Sequence, residues 1–241
     1  MEGALMQGNE LAAGDRKCIM YKEENARFIL IQPSDENDQK ELPEEIHAIR
    51  TSGIPFLLIS VPVLDWGREL VPWEADAPFG NSKFGPDAGE FLEFIRTSVI
   101  PKARQEAPGA GLVIGGYSLA GFFALWSSFQ TDAFAGCAAA SPSVWIGGWM
   151  EYARTHAPLA GAYSLSLGDR EEKVKNPLLR TVGTCMKQLV EILENDIDKK
   201  CGNIRNVSFH MNSGNHFQDS GKRTGDAFAQ AMRMALKIGD A

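Results

Sequence analysis

Short apolar runs alternate with longer amphipathic segments along most of this chain. Apolar runs with few polar interruptions predict strands that are buried on both faces of a parallel sheet. We interpret the first two of these runs as a short pair of strands. The predicted strands span residues 18–21, 27–31, 54–63, 112–114, 134–140, 163–167 and 207–211.

Apolar positions spaced three and four residues apart predict helices between these strands. A first helix is expected to open at Pro43, after a charged turn over residues 34–39. Residues 65–86 show no such periodicity, and connections of that length are uncommon in compact domains unless they serve a function. The remaining helices are expected over residues 87–102, 119–129, 181–199 and 226–237.

The alternation of strands and helices predicts the fold class. It is typical of an α/β protein with an open, doubly wound and mostly parallel sheet that carries helices on both faces. A closed barrel would need more regular strand–helix units than this chain provides. We expect an N-terminal tail over residues 1–15 and a single domain over residues 16–241.

Composition and charge narrow the choice of partners and compartment. The 31 acidic and 24 basic side chains give a net charge of -7, which argues against nucleic acid as the main partner. No apolar stretch is long enough to span a membrane, and the N-terminus does not resemble a signal peptide, so we expect a cytoplasmic protein without a membrane partner. The four cysteines, Cys18, Cys137, Cys185 and Cys201, show no metal-ligand spacing, so we expect no metal. We expect most of them to be buried reduced thiols.

A candidate nucleophile lies in residues 115–121, G-G-Y-S-L-A-G, between a predicted strand and a predicted helix. A G-x-S-x-G pattern at such a junction is typical of a nucleophile elbow, where a strained turn projects the serine hydroxyl above the sheet. Ala120 replaces the last glycine here and adds one methyl group at the crossing. We predict that Ser118 is the nucleophile and that the N–H of Leu119 stabilises an oxyanion.

A serine nucleophile needs a base, and four histidines are available. His216 comes between the last predicted strand and the last predicted helix, where a hydrolase with the chain order serine, acid, histidine places its base. His47 lies on a polar helix, His156 near a helix end and His210 inside a strand, so these three are weaker candidates. We predict that His216 is the base.

The acid is expected in residues 168–172, G-D-R-E-E, directly after a predicted strand. Open α/β sheets place their sites at this carboxyl edge. Glu171 is the preferred acid because its longer side chain can fold back from the loop to the histidine. Asp169 is the alternative, and Glu172 is expected to point to solvent.

Three segments carry a resemblance to a known family: G-Y-S-L-A-G at 116–121, S-L-G-D-R-E at 166–171 and G-N-H-F at 214–217. With D-W at 65–66 and L-V-P-W at 70–73, they resemble the esterase D and enterobactin-esterase-like branch of the α/β-hydrolases. The resemblance covers residues 16–238. It implies an α/β-hydrolase domain with no separate lid, an acid three residues after the glycine of the second segment, and ester hydrolysis without a cofactor. It also implies a second oxyanion N–H from the segment of Leu64, Asp65 and Trp66.

The sequence as a whole predicts a serine hydrolase that cleaves a small-molecule carboxylic ester through an acyl-enzyme intermediate. Two alternatives stay open, an acyltransferase with the same triad and a non-catalytic binding protein that kept the fold. Tryptophans of the long loop could also serve only to fix that loop. The residues expected to line the substrate cleft are Trp66, Trp73, Tyr117 and Trp145, and Trp149 is a further candidate.

Overall fold

The computed structural model describes residues 7–195 and 206–239. Its strands are β1 (Asn9–Ala13), β2 (Arg16–Lys22), β3 (Phe28–Ser34), β4 (Phe56–Pro62), β5 (Ala75–Asp76), β6 (Lys83–Phe84), β7 (Gly111–Tyr117), β8 (Gly136–Ala140), β9 (Ala162–Gly168) and β10 (Asn206–Asn212). Its helices are α1 (Glu36–Arg50), α2 (Trp66–Glu69), α3 (Ala88–Phe94), α4 (Ile100–Glu106), α5 (Ser118–Gln130), α6 (Trp149–Thr155), α7 (Val182–Asn195) and α8 (Ser220–Gly239). A π-helical turn, Ile95–Val99, joins α3 to α4. None of these helices is both long enough and apolar enough to span a membrane.

One eight-stranded sheet, in the order β1-β2-β4-β3-β7-β8-β9-β10, forms the centre of the structure. The β1–β2 and β2–β4 pairs are antiparallel, and every pair from β4 to β10 is parallel. The predicted open and mostly parallel sheet is therefore confirmed. Because parallel strands end at the same edge, the loops after β4, β7, β8, β9 and β10 come together there.

Helices cover both faces of the sheet, as the apolar strands predicted. Ile29 and Ile31 of β3 pack into the core that includes α3, α4, α5 and α7. Phe28 and Leu30, which alternate with them, pack into the core that includes α1 and α8. A strand that is buried on both faces has no solvent-facing side on which polar residues could alternate with apolar ones. This accounts for the continuous apolar runs in the sequence.

The N-terminal region differs from its prediction. Residues 9–13 lie in the predicted tail but form β1, which pairs with β2. The predicted pairing of segments 18–21 and 27–31 with each other is also wrong, because β2 pairs with β1 and β4, and β3 pairs with β4 and β7. An apolar pattern identifies a strand, but its partner depends on contacts that are distant in sequence.

Helix α1 begins earlier than predicted because of a capping box. The side chain of Asp35 accepts hydrogen bonds from the N–H groups of Asn37 and Asp38, and the Asp38 side chain accepts one from the N–H of Asp35. The predicted turn over residues 34–39 is therefore wrong, and Pro43 lies inside the helix. Helix α8 likewise begins at Ser220, ahead of the expected residue 226.

The long segment over residues 65–86 is ordered and lies close to the carboxyl edge of the sheet. Asp65 caps α2 by accepting a hydrogen bond from the N–H of Arg68 at 3.1 Å. A hairpin of β5 and β6 follows. Phe84 of this hairpin reaches a cavity beside Ser118, so the segment takes part in the site described next.

Candidate active site

Ser118 is the first residue of α5 and directly follows β7. Its φ is 53°, a left-handed value that strains a residue with a side chain and is typical of a nucleophile elbow. A side chain at Gly116 would come within 2.7 Å of the Ala120 methyl, and one at Gly121 within 2.8 Å of the Gly116 carbonyl oxygen. The methyl of Ala120 therefore occupies space that Gly116 leaves open, and the strand and helix still cross closely.

Three side chains from three loops form a continuous chain of hydrogen bonds. Ser118 Oγ lies 2.9 Å from Nε2 of His216, and Nδ1 of His216 lies 2.7 Å from Oε2 of Glu171. The three residues follow β7, β10 and β9, whose carboxyl ends share one edge of the sheet. In this geometry the imidazole can take the hydroxyl proton while the carboxylate orients the ring and stabilises its charged form.

Glu171 is held by several donors and is only 5% exposed. Its Oε1 accepts hydrogen bonds from the N–H of Gly168 at 2.7 Å, from Ser141 Oγ at 2.6 Å and from Arg223 Nη1 at 3.4 Å. Burial raises the pKa of Glu171, but the hydrogen bond and charge of His216, with the bonds from Ser141 and Gly168, outweigh burial and lower the pKa below its usual value. The carboxylate is therefore ionised at neutral pH.

The alternative acid, Asp169, does not contact the imidazole. Its Oδ1 accepts a hydrogen bond from the N–H of Gly214 at 2.8 Å, and its own N–H donates to the carbonyl of Asn212 at 2.9 Å. Asp169 thus ties the loop after β9 to the loop that carries His216. Glu172 is exposed, in the direction expected for it.

Buried groups from α8 and β7 fix the backbone of the histidine loop. Arg223, which is 2% exposed, donates from Nη1 to the carbonyl of Asn215 at 3.0 Å and from Nη2 to the carbonyl of Ser213 at 2.8 Å. Its Nη1 also donates to the hydroxyl of Tyr117 at 3.2 Å, and that hydroxyl donates to the carbonyl of His216 at 2.8 Å. Side chains locked by packing in this way hold an imidazole in one position.

Backbone N–H groups at two helix starts are the available oxyanion donors. The N–H of Leu119 is in the first turn of α5, where it has no acceptor within the helix. The N–H of Leu64 donates to Glu69 Oε2 at 3.1 Å, so this predicted donor is already engaged. Asp65 serves as the cap of α2, and Trp66 follows it in the first turn and lines the cavity beside the serine. The second oxyanion N–H therefore stays a prediction for the segment of Leu64, Asp65 and Trp66, and the N–H of Leu64 is engaged by Glu69.

A cavity of about 450 Å³ opens beside Ser118. Its volume lies in the range of small-molecule sites, about 300–1,000 Å³. Most of its walls are apolar, and the polar lining belongs mainly to the triad and its neighbours. The apolar lining residues are Trp66, Pro78, Phe79, Phe84, Leu119, Trp145, Val174, Leu179, Val182 and Phe217.

The predicted aromatic cleft residues divide into two groups. Trp66 and Trp145 line the cavity, but Trp73, Tyr117 and Trp149 are not among its lining residues. The Nε1 of Trp73 donates to the carbonyl of Gly147 at 2.7 Å, so this ring fixes the long loop instead. The hydroxyl of Tyr117 donates a hydrogen bond to the carbonyl of His216 in the histidine loop, and Trp149 is fully buried.

Two serines after β8 were not singled out as site residues from the sequence. Ser141 has a φ of 45° and donates to the triad carboxylate. Ser143 Oγ lies 3.4 Å from Ser118 Oγ, and its N–H donates to the carbonyl of Ser118 at 3.0 Å. The sequence does contain a signal for these two serines. The segment S-P-S follows β8, which neighbours β7, and the loops that form a site gather at this edge of the sheet.

The other histidines lie away from the cavity. His47 is exposed on α1, and His210 is exposed on β10. His156 follows α6, and its ring stacks on Tyr152 with centroids 3.7 Å apart. Only His216 among the candidates is brought to the serine and the carboxylate.

Solved structures similar to this chain include several named hydrolases. The siderophore hydrolase EstB from Aspergillus nidulans is 17% identical, with a TM-score of 0.66 over 96% of this chain and 97% of that one. The IroE-like serine hydrolase from Shewanella oneidensis is 14% identical, with a TM-score of 0.73 over 93% and 79%. The enterobactin esterase FES from Shigella flexneri is 13% identical, with a TM-score of 0.62 over 100% and 60%.

No protein-family model and no curated protein matches the chain. At these low identities the structural neighbours establish the fold, which is that of the α/β-hydrolases. The named neighbours include siderophore and enterobactin hydrolases, so this is the fold of the branch that the sequence motifs resemble.

Proposed function

We propose that this protein is a serine hydrolase that cleaves a small carboxylic ester through an acyl-enzyme intermediate. The observation that carries the proposal is the hydrogen-bonded chain from Ser118 through His216 to Glu171, beside an apolar cavity. Structural neighbours that are named as a siderophore hydrolase, a serine hydrolase and an esterase support the same chemistry on this fold.

In the first half-reaction, Ser118 Oγ attacks the ester carbonyl while His216 Nε2 takes its proton. The carbonyl oxygen becomes an oxyanion, which the N–H of Leu119 and a second N–H from the segment of residues 64–66 stabilise. When the tetrahedral intermediate collapses, the bond to the alcohol oxygen breaks. That oxygen takes the proton from His216 Nε2, the alcohol leaves, and the acyl group stays on Ser118.

In the second half-reaction, water attacks the acyl-enzyme and gives its proton to His216 Nε2. Collapse of this second intermediate releases the carboxylic acid and returns the proton to Ser118. The side chain of His216 is 31% exposed, so water has a path to the base. This exposure supports hydrolysis over transfer of the acyl group to a second alcohol.

Rapid-mixing kinetics with p-nitrophenyl acetate test the proposal. We expect a burst of p-nitrophenol that approaches one equivalent of enzyme, provided that deacylation limits the rate. Ser118→Ala should abolish the burst and lower turnover by roughly 10³-fold or more. Ser98→Ala, on the turn between α3 and α4, serves as the control. Wild-type turnover by Ser118→Ala would overturn the proposal, and a product ester formed at low concentrations of added alcohol would identify a transferase instead.

A further inference from the structure

We propose that the cavity selects an ester by an uncharged, apolar acyl group of medium length, and that the alcohol part of the substrate stays in contact with solvent. This inference rests on the proposed hydrolase function and concerns the substrate class of the same site.

The order of the strands divides the cavity into two sides. Ser118 follows β7, Trp66 follows β4 on one side of it, and His216 follows β10 on the other. The leaving alcohol oxygen must receive its proton from His216 Nε2, so the alcohol lies on the β10 side. The acyl group diverges from the leaving oxygen at the tetrahedral carbon and is therefore directed away from His216, into the aromatic part of the cavity.

The acyl side is aromatic and backed by the core. The ring of Phe84, in the hairpin after β4, and the ring of Trp145, after β8, have centroids 6.3 Å apart. Each of these rings, and Trp66, packs against the larger core cluster. Such a wall favours an apolar chain, because each methylene that leaves water strengthens binding by about fourfold. Selectivity therefore grows with the length of the acyl chain until the cavity is full.

The aromatic wall of the cavity disfavours an ionised acyl group. Glu171 is engaged by His216, and the remaining charged side chain in the lining is Lys175, which is exposed. A buried charge needs a partner and several hydrogen bonds, and the aromatic wall provides neither. An uncharged acyl group fits this lining.

The acyl side and the alcohol side of the cavity also differ in how far the protein shields them from solvent. Asn176 Nδ2 donates to the carbonyl of Pro78 at 2.5 Å, so the loop before α7 is tied to the loop between β5 and β6, and both loops line the cavity. Next to the base, Phe217 is 92% exposed and stands edge-on to the imidazole, with centroids 5.5 Å apart. The part of an alcohol group that extends past this exposed ring reaches water, so it is selected only weakly.

The test compares kcat/KM for p-nitrophenyl acetate and p-nitrophenyl octanoate. We expect the wild-type protein to prefer the octanoate by at least about tenfold, and Phe84→Ala to reduce this preference by about tenfold. Phe217→Ala, on the alcohol side, should leave the preference within about twofold of wild type. Leu159→Ala, an exposed side chain outside the cavity, is the matched control. A p-nitrophenyl monoester of succinic acid, with its ionised acyl group, should react at least about tenfold more slowly than the butyrate.

Labelling of Ser118 by a fluorophosphonate in every variant separates this inference from the proposed function and shows that each variant is folded. If Ser118 is labelled and the wild-type protein prefers the acetate or the succinate ester, the inference is wrong and the hydrolase stands. Equal preferences in Phe84→Ala and the wild-type protein would also overturn it. If wild-type Ser118 is not labelled, both proposals fail.

Discussion

The hydroxyl of Ser141 lies 2.6 Å from Oε1 of Glu171, the carboxylate oxygen that His216 does not use. Ser141 directly follows β8 much as Ser118 directly follows β7, and both serines have a positive φ. The strained backbone of Ser141 is held by a hydrogen bond from its N–H to the carbonyl of Ser166 at 2.9 Å. One strained serine thus meets the imidazole, and a second one orients the carboxylate behind it.

This relationship makes Ser141 a positioning residue. The contribution of its hydroxyl and the contribution of its strained backbone can be measured separately. Ser141→Ala and Ser141→Gly both remove the hydroxyl, and each should lower kcat by about tenfold, because a hydrogen bond to a charged group is lost. Glycine tolerates the positive φ, so its variant should be about 1 kcal/mol more stable than the alanine variant. Turnover assays and urea unfolding measure the two effects. Restored turnover in Ser141→Gly would show that the backbone, and not the hydroxyl, matters.

The choice of triad acid has its own paired test. Glu171→Gln keeps the size of the side chain but loses the charge that stabilises the imidazolium, so turnover should fall by orders of magnitude. Asp169→Asn should cost much less, because Asp169 bonds a backbone N–H of the neighbouring loop and not the imidazole. Turnover of both purified variants is measured with one ester. The reverse ranking would contradict the assignment of the acid.

Arg223 should matter for the stability of the fold. Arg223→Met leaves the carbonyls of Ser213 and Asn215 without their buried donor and removes a cation beside Glu171, so we expect a loss of about 2–5 kcal/mol in the free energy of unfolding. Arg233→Met, on the exposed side of the same helix, is the control and should change it by less than about 1 kcal/mol. Urea unfolding gives both values, and equal losses would contradict the account.

The sequence predicted those parts of the site that depend on local geometry. Ser118 stands out because a tight strand–helix crossing needs small neighbours, and His216 because of its place after the last strand. Ser141 and Arg223 were missed as site residues, because they contact Glu171 across 30 and 52 positions in the chain. Strand pairing also depends on contacts between residues that are distant in the chain, which explains why the predicted pairing of the first two strands is wrong. The fold class depends only on the periodicity of apolar residues, which the sequence shows directly.

Glu45 should make stability depend on pH in the neutral range. It is 1% exposed in α1 and accepts a hydrogen bond from Gln32 Nε2 at 3.0 Å. Burial raises the pKa of Glu45 from 4.5 to about 8. The protonated carboxyl therefore favours the fold below the unfolded pKa, and this stability is lost as pH rises from about 4.5 to about 8.

Replacement of Glu45 by glutamine tests this dependence. Glu45→Gln removes the ionisable group but keeps its shape, so it should raise the free energy of unfolding more at about pH 8 than at about pH 5. Glu171, whose pKa is lowered, loses its contribution only as pH falls below its unfolded pKa of 4.5, so the two effects separate. Urea unfolding at the two pH values gives the result, and an identical gain at both would contradict the burial argument.

Labelling by a fluorophosphonate, followed by mass spectrometry of the digested protein, shows whether Ser118 is an activated nucleophile. Such a reagent reacts with a serine that a neighbouring base activates, and the product mimics the acyl-enzyme. We expect one adduct per chain on the peptide that contains Ser118, and none in Ser118→Ala or His216→Ala. Absence of an adduct on the folded wild-type protein, or equal labelling of Ser118→Ala, would contradict this expectation.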